Sequence, residues 1–178
     1  MSHAVRLWWY DVTDLAAQVH AHPELWDQHP MRTEWKEGPF TETSDIWLRF
    51  AGDPEEFSGE HFPVFYPGWW LMPALHPIVF HMMSLVQATT LGGVMLTRIP
   101  AGAKIPTHTD KGSWHAEFYP LKAYVIIQSN PQCVNRYEDE EYVFPTGDAW
   151  LFNNLVEHSV YNCGETDRIA AIVCMRNE

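Results

Sequence analysis

At 178 residues, with 46% hydrophobic and 14% aromatic content, the chain is long enough to bury a core and too apolar to be disordered. A formal net charge of −12 with only 11 basic side chains, none clustered, argues against a nucleic-acid partner, although a nucleotide-sized substrate stays open. Cys133, Cys163 and Cys174 show no Cys-x-x-Cys spacing and no apolar run reaches membrane-spanning length, so an untargeted, soluble, cytoplasmic protein without disulfides or membrane contact is expected.

In chain order, the first predicted element is a helix from Thr13, with Thr13 as N-cap and Leu15, Ala16 and Val19 facing inward; Pro23 ends it or starts a second turn. Residues 27–68 are rich in Pro, Gly, Thr and Glu and read as loops and edge strands, with alternation over Asp45–Phe50. Next comes a helical stripe of Leu75, Ile78, Val79, Met82, Leu85 and Val86, preceded by Pro73 and followed by Gly92-Gly93. His76 and His81 interrupt this stripe and read as structural histidines with satisfied partners.

Beyond Gly93 the period becomes two. The runs VMLTRI, AYVIIQ, YVF, AWLF, HSVY and RIAAIVCM are β-branched or aromatic and separated by turn signals, with no helix-length segment between them. Six such strands predict a sandwich or jelly roll rather than a parallel sheet. The acidic YEDEEY at Tyr137–Tyr142 reads as a solvated loop, and Asp148 as a turn residue.

The chemistry concentrates in IPTHTD, Ile105–Asp110. On a strand, residues i and i+2 share a face, so His108 and Asp110 would present an imidazole and a carboxylate side by side. Alone the pattern is weak, since ten His and nine Asp give roughly half a His-x-Asp by chance. His158 opens a strand-like run fifty residues later, and in a jelly roll two such strands can be neighbours. Two histidines and one carboxylate on one side of Fe(II) leave positions open for a co-substrate and O2. Arg168 begins the last strand on one face with Ala170, Ile172 and Cys174, where a guanidinium is costly unless an anion pairs with it. A dicarboxylate reaching from the metal would supply that anion through a two-point fork.

Residues 93–175 resemble the aspartyl/asparaginyl β-hydroxylase family of Fe(II)/2-oxoglutarate-dependent oxygenases, through RIPAGAKIPTHTD, GDAWLFNN with EHSVYN, and DRIAAIVCM. The resemblance implies a mainly β double-stranded β-helix, with N-terminal helices packed on one sheet. It implies that His108, Asp110 and His158 hold iron and that Arg168 binds the distal carboxylate of 2-oxoglutarate, with O2 as oxidant. Where relatives often carry an Arg-x-His pair, this chain has Lys122 and Tyr124, an ammonium and a hydroxyl in place of a planar fork. These two are candidate secondary contacts to the co-substrate. The expected organisation is a single domain over 1–178, with helices, loops and edge strands in 1–92 and the catalytic core in 93–178. The implied reaction hydroxylates an unactivated C–H bond of an Asp- or Asn-type side chain in a peptide, or of a small amino acid.

Rival features carry blander readings. His20 and His22 read as surface at a helix end, and His115-x-Glu117 as a lid or entry loop rather than ligands. Trp69, Trp70, Trp114 and Trp150 are candidate pocket walls, with core packing as the plainer reading. Asn153 and Asn154, before the distal histidine, are candidates to brace its loop or to reach the substrate, and Asn162 is similarly placed after it. Two other functions use the same ligands: a cupin-like metal-holding module without turnover, against which Arg168 argues, and a zinc-dependent hydrolase, for which no general base is evident. Oligomeric state is not readable from the sequence.

Overall fold

The computed structural model describes residues 2–52, 63–111 and 114–178, with the side chains of Trp114 and His115 left out. In chain order the elements are β1 (Ala4–Trp9), α1 (Thr13–Ala21), a 3-10 turn (Pro23–Leu25), α2 (Met31–Glu34), β2 (Ser44–Phe50), β3 (Val64–Phe65), α3 (Pro67–Leu71), α4 (Leu75–Leu85), β4 (Thr90–Ile99), β5 (Lys104–His108), α5 (Trp114–Phe118), β6 (Leu121–Gln128), β7 (Cys133–Tyr137), β8 (Glu140–Val143), β9 (Asp148–Phe152), β10 (His158–Asn162) and β11 (Arg168–Arg176).

The strands form two antiparallel sheets, one of seven in the order β1-β9-β6-β11-β4-β2-β3 and one of four in the order β5-β10-β7-β8. This is a double-stranded β-helix, mainly β, as the strand pattern predicts. Central strands of the larger sheet are buried on both faces, and their side chains divide by parity. On β11, Ile169, Ala171, Val173 and Met175 join a core with α1 and α4, while Ala170, Ile172 and Cys174 join a second core between the sheets. Lys122 and Tyr124 are likewise two apart on β6, and both line the cleft into which Arg168 and Ile172 project. The alternation that packs helices against one side therefore aims functional groups at the other.

Several sequence expectations need correction. Thr13 starts α1 rather than capping it, and its N–H and hydroxyl both donate to the Asp11 carboxylate. Leu15 and Val19 are buried as expected. On α4, Leu75, Ile78, Val79 and Met82 are buried, whereas Leu85 lies beyond the stripe and is exposed. The chain leaves α4 through Gln87 at φ 56°, not at Gly92-Gly93, which lie inside β4. At Gly92 a Cβ would collide with the Tyr119 ring, so this glycine serves a close approach. A boundary after residue 92 would therefore cut β4.

Asp148 is no turn residue: it is buried at the start of β9 and takes a two-point ion pair from Arg6 of β1, at 2.6 and 2.9 Å. Tyr137–Tyr142 is not a simple solvated loop either, because it forms the β7–β8 hairpin, with Glu138 at φ 51° and Tyr137 buried. His76 is satisfied as expected: its Nε2 donates to the Trp69 carbonyl at 2.8 Å and its ring stacks on that of Trp69. His81 meets the Tyr10 hydroxyl at 2.9 Å. All three cysteines are free thiols. Among the described residues no helix is long and apolar enough to cross a membrane.

Candidate metal and dicarboxylate site

β5 is the edge of the smaller sheet, where Pro106 is tolerated because no ladder partner needs its missing N–H. Pairing with β10 is irregular: Val160 faces Ile105, but His158 faces His108, so β5 carries one extra residue over this span. Such a bulge re-aims the strand end. It brings the two histidines directly opposite each other, with ring centroids 4.2 Å apart. The strand ends at His108, so Asp110 does not share a strand face with it as expected; instead the Asp110 N–H bonds the Asn154 carbonyl at 3.0 Å, and this loop contact returns the carboxylate to the site.

One ligand atom from each of His108, Asp110 and His158 lies within 4.8 Å of the others. In both histidines Nδ1 donates to the carbonyl two residues back, Pro106 at 2.8 Å and Val156 at 2.9 Å, which leaves the Nε2 lone pairs for a ligand. Burial pushes the His108 imidazolium pKa down and that of His158 down to about 4, favouring the neutral, ligating form. Tyr137 stacks on His158 at 5.8 Å, and Phe40 meets His108 edge-on at 5.3 Å. Burial works to raise the Asp110 pKa, but the Lys122 ammonium and the bonds from Lys122 and Asn154 outweigh it and hold the carboxyl well below the usual range. Asp110 is thus an anion, with Oδ2 paired to Lys122 and to Asn154 Nδ2, and Oδ1 3.7 Å from His108 Nε2.

Arg168 is 1% exposed. Its Nη2 has no hydrogen-bond partner, no carboxylate pairs with it among the described residues, and its guanidinium sits 4.7 Å over the Tyr124 ring. Leaving such a group unpaired is costly, so an anion in the cleft fits it. The donor set fits a ferrous ion: two neutral imidazoles, one carboxylate oxygen, and a cationic seat nearby for a chelating diacid. Asp167 points elsewhere, accepting from the Ala101 N–H.

The remaining candidates disperse. Asn154 reaches Asp110, whereas Asn153 accepts the Leu155 N–H and Asn162 donates to the Ile99, Pro100 and Thr166 carbonyls, bracing turns away from the ligands. His20 is exposed and His22 pairs with Glu24. Glu117 is exposed, and the side chains of His115 and Trp114 lie outside the described residues. None of Trp69, Trp70 and Trp150 lines the cleft: Trp69 is core, Trp70 is 66% exposed, and Trp150 stacks on Phe144. The aromatic walls are Phe40 and Tyr124. Sequence reasoning also missed Arg32, which enters the cleft from α2. It belongs to a segment without period or motif, so no local signal marks it.

The two sheets and the cleft between them have the architecture of 2-oxoglutarate oxygenases. The fold is similar to an oxidoreductase of the 2OG-Fe(II) oxygenase family from Burkholderia pseudomallei, at TM-score 0.62 and 12% identity over 99% of this chain and 85% of that one. It is also similar to a prolyl-4-hydroxylase from Pseudomonas putida, at TM-score 0.58 and 14% identity over 94% and 86% of the two chains. No curated protein matches the chain. The family model for aspartyl/asparaginyl β-hydroxylase matches residues 70–177, reaching back through α4 beyond the motifs. The chain belongs to the aspartyl/asparaginyl β-hydroxylase family. It is thereby a hydroxylase of the dioxygenase class, whose reaction uses Fe(II), 2-oxoglutarate and O2, and the binding-module and zinc-hydrolase alternatives are not favoured.

Proposed function

We propose that His108, Asp110 and His158 hold the ferrous ion, that Arg168 seats the far carboxylate of 2-oxoglutarate, and that the hydroxylated group is an Asp- or Asn-type side chain in a peptide, or a small amino acid. One observation carries this reading: three ligand atoms lie within 4.8 Å of one another, and two of their residues, His108 and His158, line the same cleft as a buried guanidinium whose Nη2 has no hydrogen-bond partner among the described residues. When bound, iron and 2-oxoglutarate with O2 supply the oxidant that inserts one oxygen atom into a C–H bond, leaving succinate and CO2. The chain's own residues do the positioning. His108 and His158 present fixed lone pairs because their Nδ1 protons are held by backbone carbonyls. Lys122 and Asn154 hold Oδ2 of Asp110 and so turn Oδ1 toward the ion. Tyr124 supports the Arg168 guanidinium through its ring face, and Phe40, Ile105, Val160 and Ile172 keep bulk water from the cleft.

The test is succinate formation from 2-oxoglutarate with added Fe(II). His108→Ala should abolish turnover, and Arg168→Ala should mainly raise the 2-oxoglutarate requirement, by roughly tenfold or more for a lost charge-assisted fork. Turnover indifferent to both changes would overturn the assignment. Mass analysis of amino acids and peptides for a gain of one oxygen identifies the substrate.

A further inference from the structure

We infer that Arg32 is a second carboxylate-recognition point in this cleft, separate from Arg168 and supplied by the N-terminal part of the chain. The inference rests on the dicarboxylate reading of the site. Three cationic side chains line the cleft: Arg32, Lys122 and Arg168. Lys122 is committed to Asp110. Arg32 is braced differently. Its Nε and Nη2 donate to the two Asp45 oxygens, each at 2.7 Å, and Nη2 also donates to Thr97 Oγ1 at 2.9 Å. The guanidinium lies 3.8 Å over the centre of the Phe40 ring, the same ring that meets His108. Asp45 itself is locked, taking a further bond from the Thr97 hydroxyl at 2.8 Å.

This bracing uses one edge of the guanidinium and fixes its plane. The other amino group, Nη1, has no hydrogen-bond partner among the described residues, and it is not sealed among the buried polar atoms that lack one. The fork to Asp45 and the bond to Thr97 use three of the five N–H donors and fix the plane, so Nη1 remains an oriented donor on a residue that lines the cleft with His108 and His158. Counting side chains, Arg32, Lys122 and Arg168 against Asp45 and Asp110 leave the site one positive charge in excess, in a chain whose net charge is −12. A divalent ion raises this excess to three positive charges, which the two carboxylates of 2-oxoglutarate and one carboxylate of a further molecule would together balance. The carboxylate that meets Arg32 is either the end of 2-oxoglutarate that Arg168 does not seat or an acidic group of the molecule being hydroxylated.

Equilibrium titrations of the full chain loaded with Co(II), without O2, separate these sources. The probes are 2-oxoglutarate, then L-aspartate and L-asparagine added to the 2-oxoglutarate complex, compared across the parent protein, Arg32→Lys and Arg168→Ala. Arg32→Lys keeps the charge opposite Asp45 but loses the planar fork. We expect it to leave Co(II) affinity unchanged and to weaken either 2-oxoglutarate or L-aspartate by roughly tenfold. Weaker 2-oxoglutarate assigns the carboxylate to the co-substrate; weaker L-aspartate, with 2-oxoglutarate and L-asparagine unchanged, assigns it to the substrate. Unchanged affinity for all three probes overturns the inference. If Arg32→Lys fails to fold by circular dichroism, Thr97→Val carries the same test, because it removes one of the bonds that orient the guanidinium. A parent protein that does not bind 2-oxoglutarate, or binds it regardless of Arg168→Ala, instead counts against the dicarboxylate reading itself.

Discussion

The two oxygens of Asp110 meet different demands. Oδ2 takes the Lys122 ammonium and the Asn154 amide, while Oδ1 stands toward His108. Supports of this kind fix the direction of a ligand and typically matter ten- to hundredfold in metal affinity. Asn154→Ala should therefore weaken Co(II) binding by roughly tenfold, read by calorimetry, while Asn153→Ala, whose side chain serves only a local turn, should leave it unchanged. The ligand candidates were legible because they are polar groups in short motifs bounded by turns. Lys122 was singled out through the family resemblance as a co-substrate contact, but its pairing with Asp110 was not, since nothing in sequence says which of several nearby anions an ammonium reaches. Arg32 was invisible: the four-residue helix that carries it has no period, and its partners Asp45 and Thr97 lie 13 and 65 residues away.

At the scale of elements, periodicity served where an element has one buried face or is buried throughout. The α4 stripe emerged with four of its six residues buried, and five of the six apolar runs fall within strands, the sixth, YVF, running one residue past β8. β7 escaped detection as a strand because Asn and Arg are mixed into its run, and β5, an edge strand with exposed proline and threonine positions, was read as a strand only through its His-x-Asp spacing. Gly92 misled because a glycine after a helix is most often its stop, while here it makes room for an aromatic ring. The helix–sheet layer supports the site from behind, so its packing is a stability question. Leu75 is fully buried in the core shared by α4 and the larger sheet. Leu75→Ala should cost about 2–5 kcal/mol in a denaturant titration, whereas Leu85→Ala on the exposed side should cost below about 1 kcal/mol.

For the molecule as a whole, alkaline pH is the more informative stress. Burial raises the Cys174 thiol from 9.0 to about 12, the Tyr10 phenol from 10.0 to about 12, and the Cys133 thiol in the same direction. These groups stay neutral in the folded chain and ionise once unfolded, so the folded state binds more protons above the ordinary thiol range. Stability is then unaffected by them below about pH 9 and declines as pH rises toward 12. Thermal unfolding from pH 7 to 11 checks this, and Cys174→Ala should make the decline shallower.

The extra residue that β5 inserts opposite β10 has a wider meaning. Side chains on a strand alternate outward and inward, so the bulge acts as a phase setter: shortening the Pro106-Thr107 step by one would invert His108 relative to its neighbour across the ladder. Lengthening the connection between the two strands changes no such parity. The spacing within Pro106-Thr107 is thus held by the geometry of the ladder, while the length of the connecting loops is not.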